Sequence, residues 1–397
     1  MNTIIRMGGA SCAGKSTLVN LLNDGCHHLI DSPALLAAVE GRRISVAVPK
    51  TFLDEAEGGT SHGDWARHLL TRNNAQVLSI EETVPGTDFD LRVDGEFDVL
   101  RVQLVLPYFA WRARRDWRFA QGWNTAAPWV EDGTWELYQE YADGALRASA
   151  DTLYVDVTDY PVREVSRWDA HVIFRTGLIP EGLAAYVPDV VKDAGGSSPD
   201  YQPALRVGSE WLGATAEAGE MAKRFNKTLP DDLSGAAVLD LGAAEGAFSL
   251  EALNRGATFV VAVDARERRL ETLRRVRTAA RLPVFTVRMR LGNDPLPNFV
   301  SRGGGRYDLA LMLNILRHLR DPQARLREAL SISNKLICET VTCDGDEAVL
   351  GNPPRQAFPP AWMRAIAARQ GFRLDVRDAA LQPERRRMYV FTRRSTE

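Results

Sequence analysis

The chain has only four cysteines in 397 residues, none in a CxxC pair and none at disulfide-like spacing. That scarcity points away from a disulfide scaffold and toward reduced thiols in a cytoplasmic protein. Nothing reads as a signal peptide, and no apolar run reaches the roughly 18 residues that a membrane span needs. Charge of one sign is also lacking. A formal net charge of −3 gives no electrostatic case for a dedicated nucleic-acid binder. Basic runs occur at 112–118, 266–275 and 384–387. They read as solvated helix faces, with a polyanion site as the alternative. Hydrophobic content of 45% and charged content of 25% are those of an ordinary globular protein. The length allows two or three domains, each with a full core.

What the chain does have is two glycine-rich turns of different design, each inside its own strand–helix alternation. In the first half, strands are expected at 3–9, 27–31, 75–82, 99–107 and 152–161. Helices are expected at 14–24, 32–41, 108–121 and 135–150. Residues 187–203 lack periodicity and concentrate Gly, Ser, Pro and Asp, as a linker does. The alternation then restarts, with strands at 236–242, 258–264, 284–289, 307–314 and 335–341. A closing antiparallel hairpin follows at 372–378 and 387–393. No internal repeat is present. The expectation is α/β throughout: domain 1 over 1–180, a linker over 181–205 and domain 2 over 206–397, each with a mostly parallel sheet.

The first turn is GGASCAGKST at 8–17, which fits G-x-x-x-x-G-K-[ST] from Gly9 through Ala10, Ser11, Cys12, Ala13 and Gly14 to Lys15 and Ser16. Glycines let successive N–H groups point at a phosphate, and the following helix offers its positive dipole end. Thr17 continues the cradle. Lys15 is expected to bridge the β- and γ-phosphates of ATP, and the Ser16 hydroxyl to ligate Mg²⁺. The segment resembles small P-loop kinases that phosphorylate nucleotides and other small molecules. By that resemblance Asp31 is the base for the acceptor hydroxyl, with helix capping as its other reading. Glu81 reaches the Mg²⁺ shell, and Arg112 and Arg115 act as lid arginines on substrate phosphate. No NKxD-like guanine reader is present, which argues against a GTPase.

The second turn is VLDLGAAEGAF at 238–248, with Asp264 ending the next expected strand 22 residues after Gly242. This D-L-G-A-A-E-G spacing differs from a dinucleotide-binding G-x-G-x-x-G. It resembles motif I of class I S-adenosylmethionine-dependent methyltransferases. The resemblance implies that Gly242, Ala243 and Gly246 allow close approach of the donor, that Asp264 holds its ribose, and that Asp240 or Glu245 answers its ammonium. Segments 307–322 and 336–350 are similar to the methyltransferase domain of the tRNA wobble-uridine carboxymethyl transferases. By that likeness Asp294 lies near the adenine amino group, Asn314 near the methionine end and His318 near the acceptor as a base. Arg317 stands where that family has an aromatic residue that helps select a carboxylated donor, so plain methyl transfer is expected. An arginine there can also hold a phosphate of the substrate.

Two complete cofactor motifs imply successive reactions on one substrate: phosphorylation of a hydroxyl, then methylation, with the new phosphate one option for the methyl acceptor. A glycan or small-molecule acceptor is expected. Nucleic-acid modification and a purely regulatory P-loop are the alternatives, and the oligomeric state is left open.

Overall fold

The computed structural model describes residues 2–8, 15–47, 62–82, 97–120, 135–147, 151–175, 204–213, 215–292, 296, 306–342, 357–380 and 385–394. The chain divides into two compact units, Met1–Ile179 and Pro180–Glu397. Among the described residues no helix is long and apolar enough to cross a membrane.

The first unit is built on β1 (Asn2–Gly8), whose Ile4, Ile5 and Met7 are fully buried. It continues through α1 (Lys15–Asn23), β2 (Ile30–Asp31), α2 (Pro33–Val39), β3 (Ile44–Ala47), α3 (His62–Arg72), β4 (Val77–Glu82) and β5 (Phe97–Val105). Then come α4 (Tyr108–Ala120), α5 (Trp135–Leu146), β6 (Thr152–Asp156), β7 (Val162–Val165) and α6 (Arg167–Arg175). Strand order is β2-β7-β6-β5-β1-β4-β3. β1 lies between parallel β4 and β5, and β3 and β6 extend the parallel set on either side. After β1 the chain visits both edges of the sheet, β2 and then β3, comes back inward through β4 to the side of β1, and crosses to build outward through β5 and β6. Ligand crevices form at the carboxyl ends of strands where the winding reverses in this way.

One strand assignment from the sequence is corrected here. Residues 27–31 form a short 3₁₀ turn and then the two-residue β2, an edge strand beside β7. The strand next to β4 is instead β3, a short segment without a strong alternating pattern. Asp31 thus lies four strands from β1, about 19 Å at the usual ~4.8 Å spacing. It is exposed, and that distance removes it as the base beside Lys15. Nor does it cap α2. Ser32 does, accepting from the Leu35 amide at 3.3 Å, and Ser32 in turn donates to Glu164 at 2.6 Å.

In the second unit a hairpin, β8 (Ala204–Val207) and β9 (Glu210–Gly213), precedes the sheet; it is absent from the expected strands, and only its first two residues lie in the expected linker. It continues through α7 (Thr215–Thr228), β10 (Ala237–Leu241), α8 (Ala247–Asn254), β11 (Phe259–Asp264), α9 (Glu267–Ala280) and β12 (Val284–Arg288). β13 (Tyr307–Leu313), α10 (Pro322–Ser331), β14 (Ser333–Val341), α11 (Pro360–Arg369), β15 (Phe372–Asp378) and β16 (Arg386–Arg393) complete it. Sheet order is β12-β11-β10-β13-β14-β16-β15. The first five strands are parallel. β16 runs antiparallel between β14 and β15, so the expected closing hairpin enters the sheet by its second strand. β10 and β11 are buried at every position, as strands covered on both faces must be. Their apolar side chains pack with Phe225 of α7, Phe248 of α8 and Leu273 of α9 in one core.

Candidate functional site

In the second unit the chain reverses its winding at β10, and the turn that leaves this strand has three residues in left-handed conformations. Gly242 has φ +81°, Ala244 +53° and Gly246 +89°. Glycine is required at 242 and 246 for space as well as for φ. A Cβ on Gly242 would lie 3.0 Å from the Ile315 side chain, and one on Gly246 would lie 2.5 Å from Leu273. The turn is tied to β11 by the amides of Gly242 and Ala243, both donating to Val263 O at 2.8 and 3.0 Å.

Asp264, at the end of β11, locks this arrangement. Its Oδ2 accepts from the Ala244 amide at 3.0 Å, and its Oδ1 accepts from the Arg266 amide at 2.8 Å. A carboxylate held at both oxygens by backbone amides has a fixed direction, which suits it to receive paired ribose hydroxyls. Asp240 lies beneath the turn and accepts from Ser249 Oγ at 2.7 Å. Burial pushes its pKa up to about 7, with the Asp264 charge adding to the rise. Glu245 is 2% exposed, with Arg269 Nε 3.8 Å from its Oε1.

Asn314 follows β13 with φ +58°, and its amide donates to Glu339 O at 2.7 Å. Its Oδ1 is buried and has no hydrogen-bond partner among the described residues, so it is an acceptor available to a ligand. Arg317 and His318 come next in a short 3₁₀ turn, where Arg317 Nε donates to His318 Nε2 at 3.2 Å. His318 is exposed rather than packed against α10, and partial burial together with the Arg317 charge lowers its pKa. Asp294 lies outside the described residues.

The carboxyl ends of β10, β11 and β13 therefore bring together Asp240, Gly242, Ala243, Glu245, Gly246, Asp264 and Asn314. Three contributors escaped the sequence reading. Ser249 holds Asp240, Ile315 lies over Gly242, and Arg269 faces two carboxylates. Arg269 falls in a run read as a solvated face. Its position one turn before Leu273, which packs on Gly246, is the signal that would have turned it inward.

In the first unit, Gly9 through Gly14 lie outside the described residues. Their flanks are described: Gly8 ends β1, and Lys15, 7% exposed, opens α1. Ser16 and Thr17 follow in the first turn, both partly buried. Strand register sets Glu81 level with Met7 and Glu82 level with Gly8. A Cβ on Gly8 would lie 2.5 Å from Gln103 Oε1. Gln103 is itself buried and donates to Leu104 O at 3.2 Å and to the Tyr141 hydroxyl. Arg112 lies near Asp116 at 3.5 Å. The Arg115 guanidinium packs over the rings of Trp111 and Phe119 at 5.8 and 5.5 Å. Among the described residues no group of three or more His, Cys, Asp or Glu is arranged to hold a metal ion.

Residues 214–386 match a family described as a methyltransferase domain. No curated protein matches the chain. Among solved structures, TehB from Haemophilus influenzae is 15% identical, with 46% of this chain and 64% of that chain covered and a TM-score of 0.32. The magnesium protoporphyrin IX methyltransferase ChlM from Synechocystis PCC 6803, solved with bound SAH, is 20% identical over 45% of this chain and 82% of its own, TM-score 0.33. The N-terminal domain of EvdMO1, solved in the presence of SAH and D-fucose, is 18% identical over 53% and 97%, TM-score 0.35. The chain thus spans under two thirds of the first of these, and the family match covers less than half of this chain. The part of the chain that this match covers lies within the second unit, whose residues 214–386 are similar to a methyltransferase domain.

Proposed function

We propose that the chain is a bifunctional enzyme. The first unit transfers a phosphoryl group from ATP·Mg²⁺ to a hydroxyl, and the second methylates the same small-molecule or glycan substrate. The observation that carries the reading is shared by both units. In each, the glycine-rich segment leaves the carboxyl end of a central strand flanked by parallel neighbours, at the point where the winding reverses.

In the methylating unit, bound S-adenosylmethionine supplies an activated methyl on sulfur, so the protein's task is mainly placement. Asp264 receives the ribose hydroxyls, Asn314 Oδ1 accepts from the methionine end, and Glu245 faces the ammonium. Arg317 takes an anionic group of the acceptor in paired hydrogen bonds. Turning to that group, it releases His318 Nε2, which then accepts the acceptor's proton. The lowered pKa of His318 supports this role, because it keeps the imidazole neutral before reaction.

In the phosphorylating unit, Lys15 would neutralise the β- and γ-phosphates and Ser16 would hold Mg²⁺, with Glu81 as a further candidate carboxylate for the metal. Arg112 and Arg115 steady the substrate's own charge. With Asp31 removed, the base is unassigned.

The test is mass spectrometry of a substrate extract given ATP and methyl donor, searched for gains of about 80 and about 14 mass units. Lys15→Ala should abolish the first gain and, because the phosphorylated product is the methyl acceptor, the second as well. Full methylation without phosphorylation overturns the order of reactions. ATP binding without any phosphorylated product overturns the kinase reading in favour of a regulatory nucleotide site.

A further inference from the structure

We infer that Arg269 is a positioning residue of the donor site, holding the Glu245 and Asp264 carboxylates in orientation so that a cationic donor can bind. The inference rests on the donor-site reading of the turn after β10. Three carboxylates, those of Asp240, Glu245 and Asp264, are gathered at that turn, and all three are buried. Like charges brought together out of water drive one another toward protonation or outward rotation. Either response would spoil a site meant to hold an ammonium and two ribose hydroxyls.

Arg269 counters this. Its Nε lies 3.8 Å from Glu245 Oε1, and its Nη1 lies 4.0 Å from Asp264 Oδ2, with the side chain only 17% exposed. At those separations the guanidinium supplies charge to the two oxygens without a short hydrogen bond to either. The arginine comes from the first turn of α9, an element the donor does not need to displace. Its neighbour one turn on, Leu273, packs on Gly246, so the helix that carries the charge is keyed to the same turn. Arg277, farther along α9, is also buried, but it donates to Val284 O at 3.4 Å, away from the turn.

The arrangement implies a sign that is not obvious. Arg269 is a cation beside a site for a cation, so direct repulsion alone predicts tighter donor binding when it is removed. If its main effect is to hold two carboxylates aimed at the donor, removal weakens binding.

The experiment is calorimetric titration of the full chain with S-adenosylmethionine, in the wild type and in the Arg269→Met, Arg269→Lys, Glu245→Gln and Arg269→Met/Glu245→Gln proteins. Arg269→Met should lower donor affinity about tenfold, and Arg269→Lys should recover most of it. With an acceptor in hand, the donor KM should rise while kcat at saturating donor stays within about twofold. Adding Glu245→Gln to the methionine variant should cost less than the same change in wild type, because the two act as one unit. Unchanged or tighter binding by Arg269→Met, in a protein whose wild type binds the donor, overturns the inference. Additive effects of the two changes overturn it as well. A wild type that binds no donor instead overturns the donor-site reading itself.

Discussion

Asp240 ties the donor turn to the acid–base behaviour of the second unit. Its pKa of about 7 in the folded chain stands roughly three units above the ~3.9 of an exposed aspartate. An acid raised on folding has its effect between those two values. Below about pH 4 both states are protonated and the group is neutral to stability. Between about 4 and 7 the unfolded chain ionises while the folded one keeps its proton, so stability falls as pH rises. Above about 7 the full cost is present. Three units at ~1.4 kcal/mol each put it on the order of 4 kcal/mol with the Ser249 bond already counted, an upper bound because local relaxation also stabilises the carboxylate.

Asp240→Asn keeps the shape and the Ser249 bond but removes the titration. The asparagine protein should be the more stable of the two at pH 8, and the difference should shrink steadily as pH falls toward about 4. Hydrogen exchange of the β10 and α8 amides between pH 5 and 8 reads this locally, without interference from the first unit. A cationic donor favours the ionised form, so its binding near pH 7 should release about half a proton, seen by calorimetry in buffers of different ionisation enthalpy. Parallel pH slopes in both proteins would show that Asp240 is ionised throughout, and the argument from burial would be wrong.

Further outcomes follow from the same geometry. Asp264→Ala should cost about 1–3 kcal/mol of donor binding through lost charged hydrogen bonds, measured by titration calorimetry. Gly246→Ala forces φ +89° on a residue with a Cβ, at about 1–2 kcal/mol, and crowds Leu273 for about 1–3 kcal/mol more. Its thermal unfolding should show the second unit melting several degrees earlier. Arg317→Met removes a charge that lowers the His318 pKa, so the acid limb of the methylation rate profile should move to higher pH. A fixed limb would exclude His318 as the base. Gly8→Ala places a Cβ against Gln103 and should weaken ATP binding, with Gln103→Ala restoring it in the double variant.

How much of this was legible in the sequence depended on whether a residue's role was local. Gly242, Gly246 and Asp264 were readable because a turn with positive φ needs glycine, and because the acid ending the next parallel strand must face that turn. Both facts are consequences of strand–turn–helix geometry within some 30 residues. The β10–β13 and β14–β16 core was readable for the same reason, since strands buried on both faces appear as unbroken apolar runs.

Asp31 shows the opposite case. A carboxylate after an apolar stretch looks like a strand end wherever the strand lies, and only the pairing of Ile30 and Asp31 with Val162 and Arg163 places it at the sheet's edge. β3 was missed because Ile44–Ala47 is too short to show a period, and its strand character comes from pairing along β4. Arg269 was missed because charge is normally solvated, and nothing in 266–275 marks which arginine turns inward. That choice is made by Glu245 and Asp264, 24 and 5 residues away in sequence, whose buried charge recruits a cation only once the turn has closed. Residues that bind through backbone shape are written in the local pattern, whereas those that act through charge are selected by the assembled site. In the first unit the expected roles of Lys15 and Ser16 accordingly come from a local motif, whereas those of Arg112 and Arg115 depend on an assembled site.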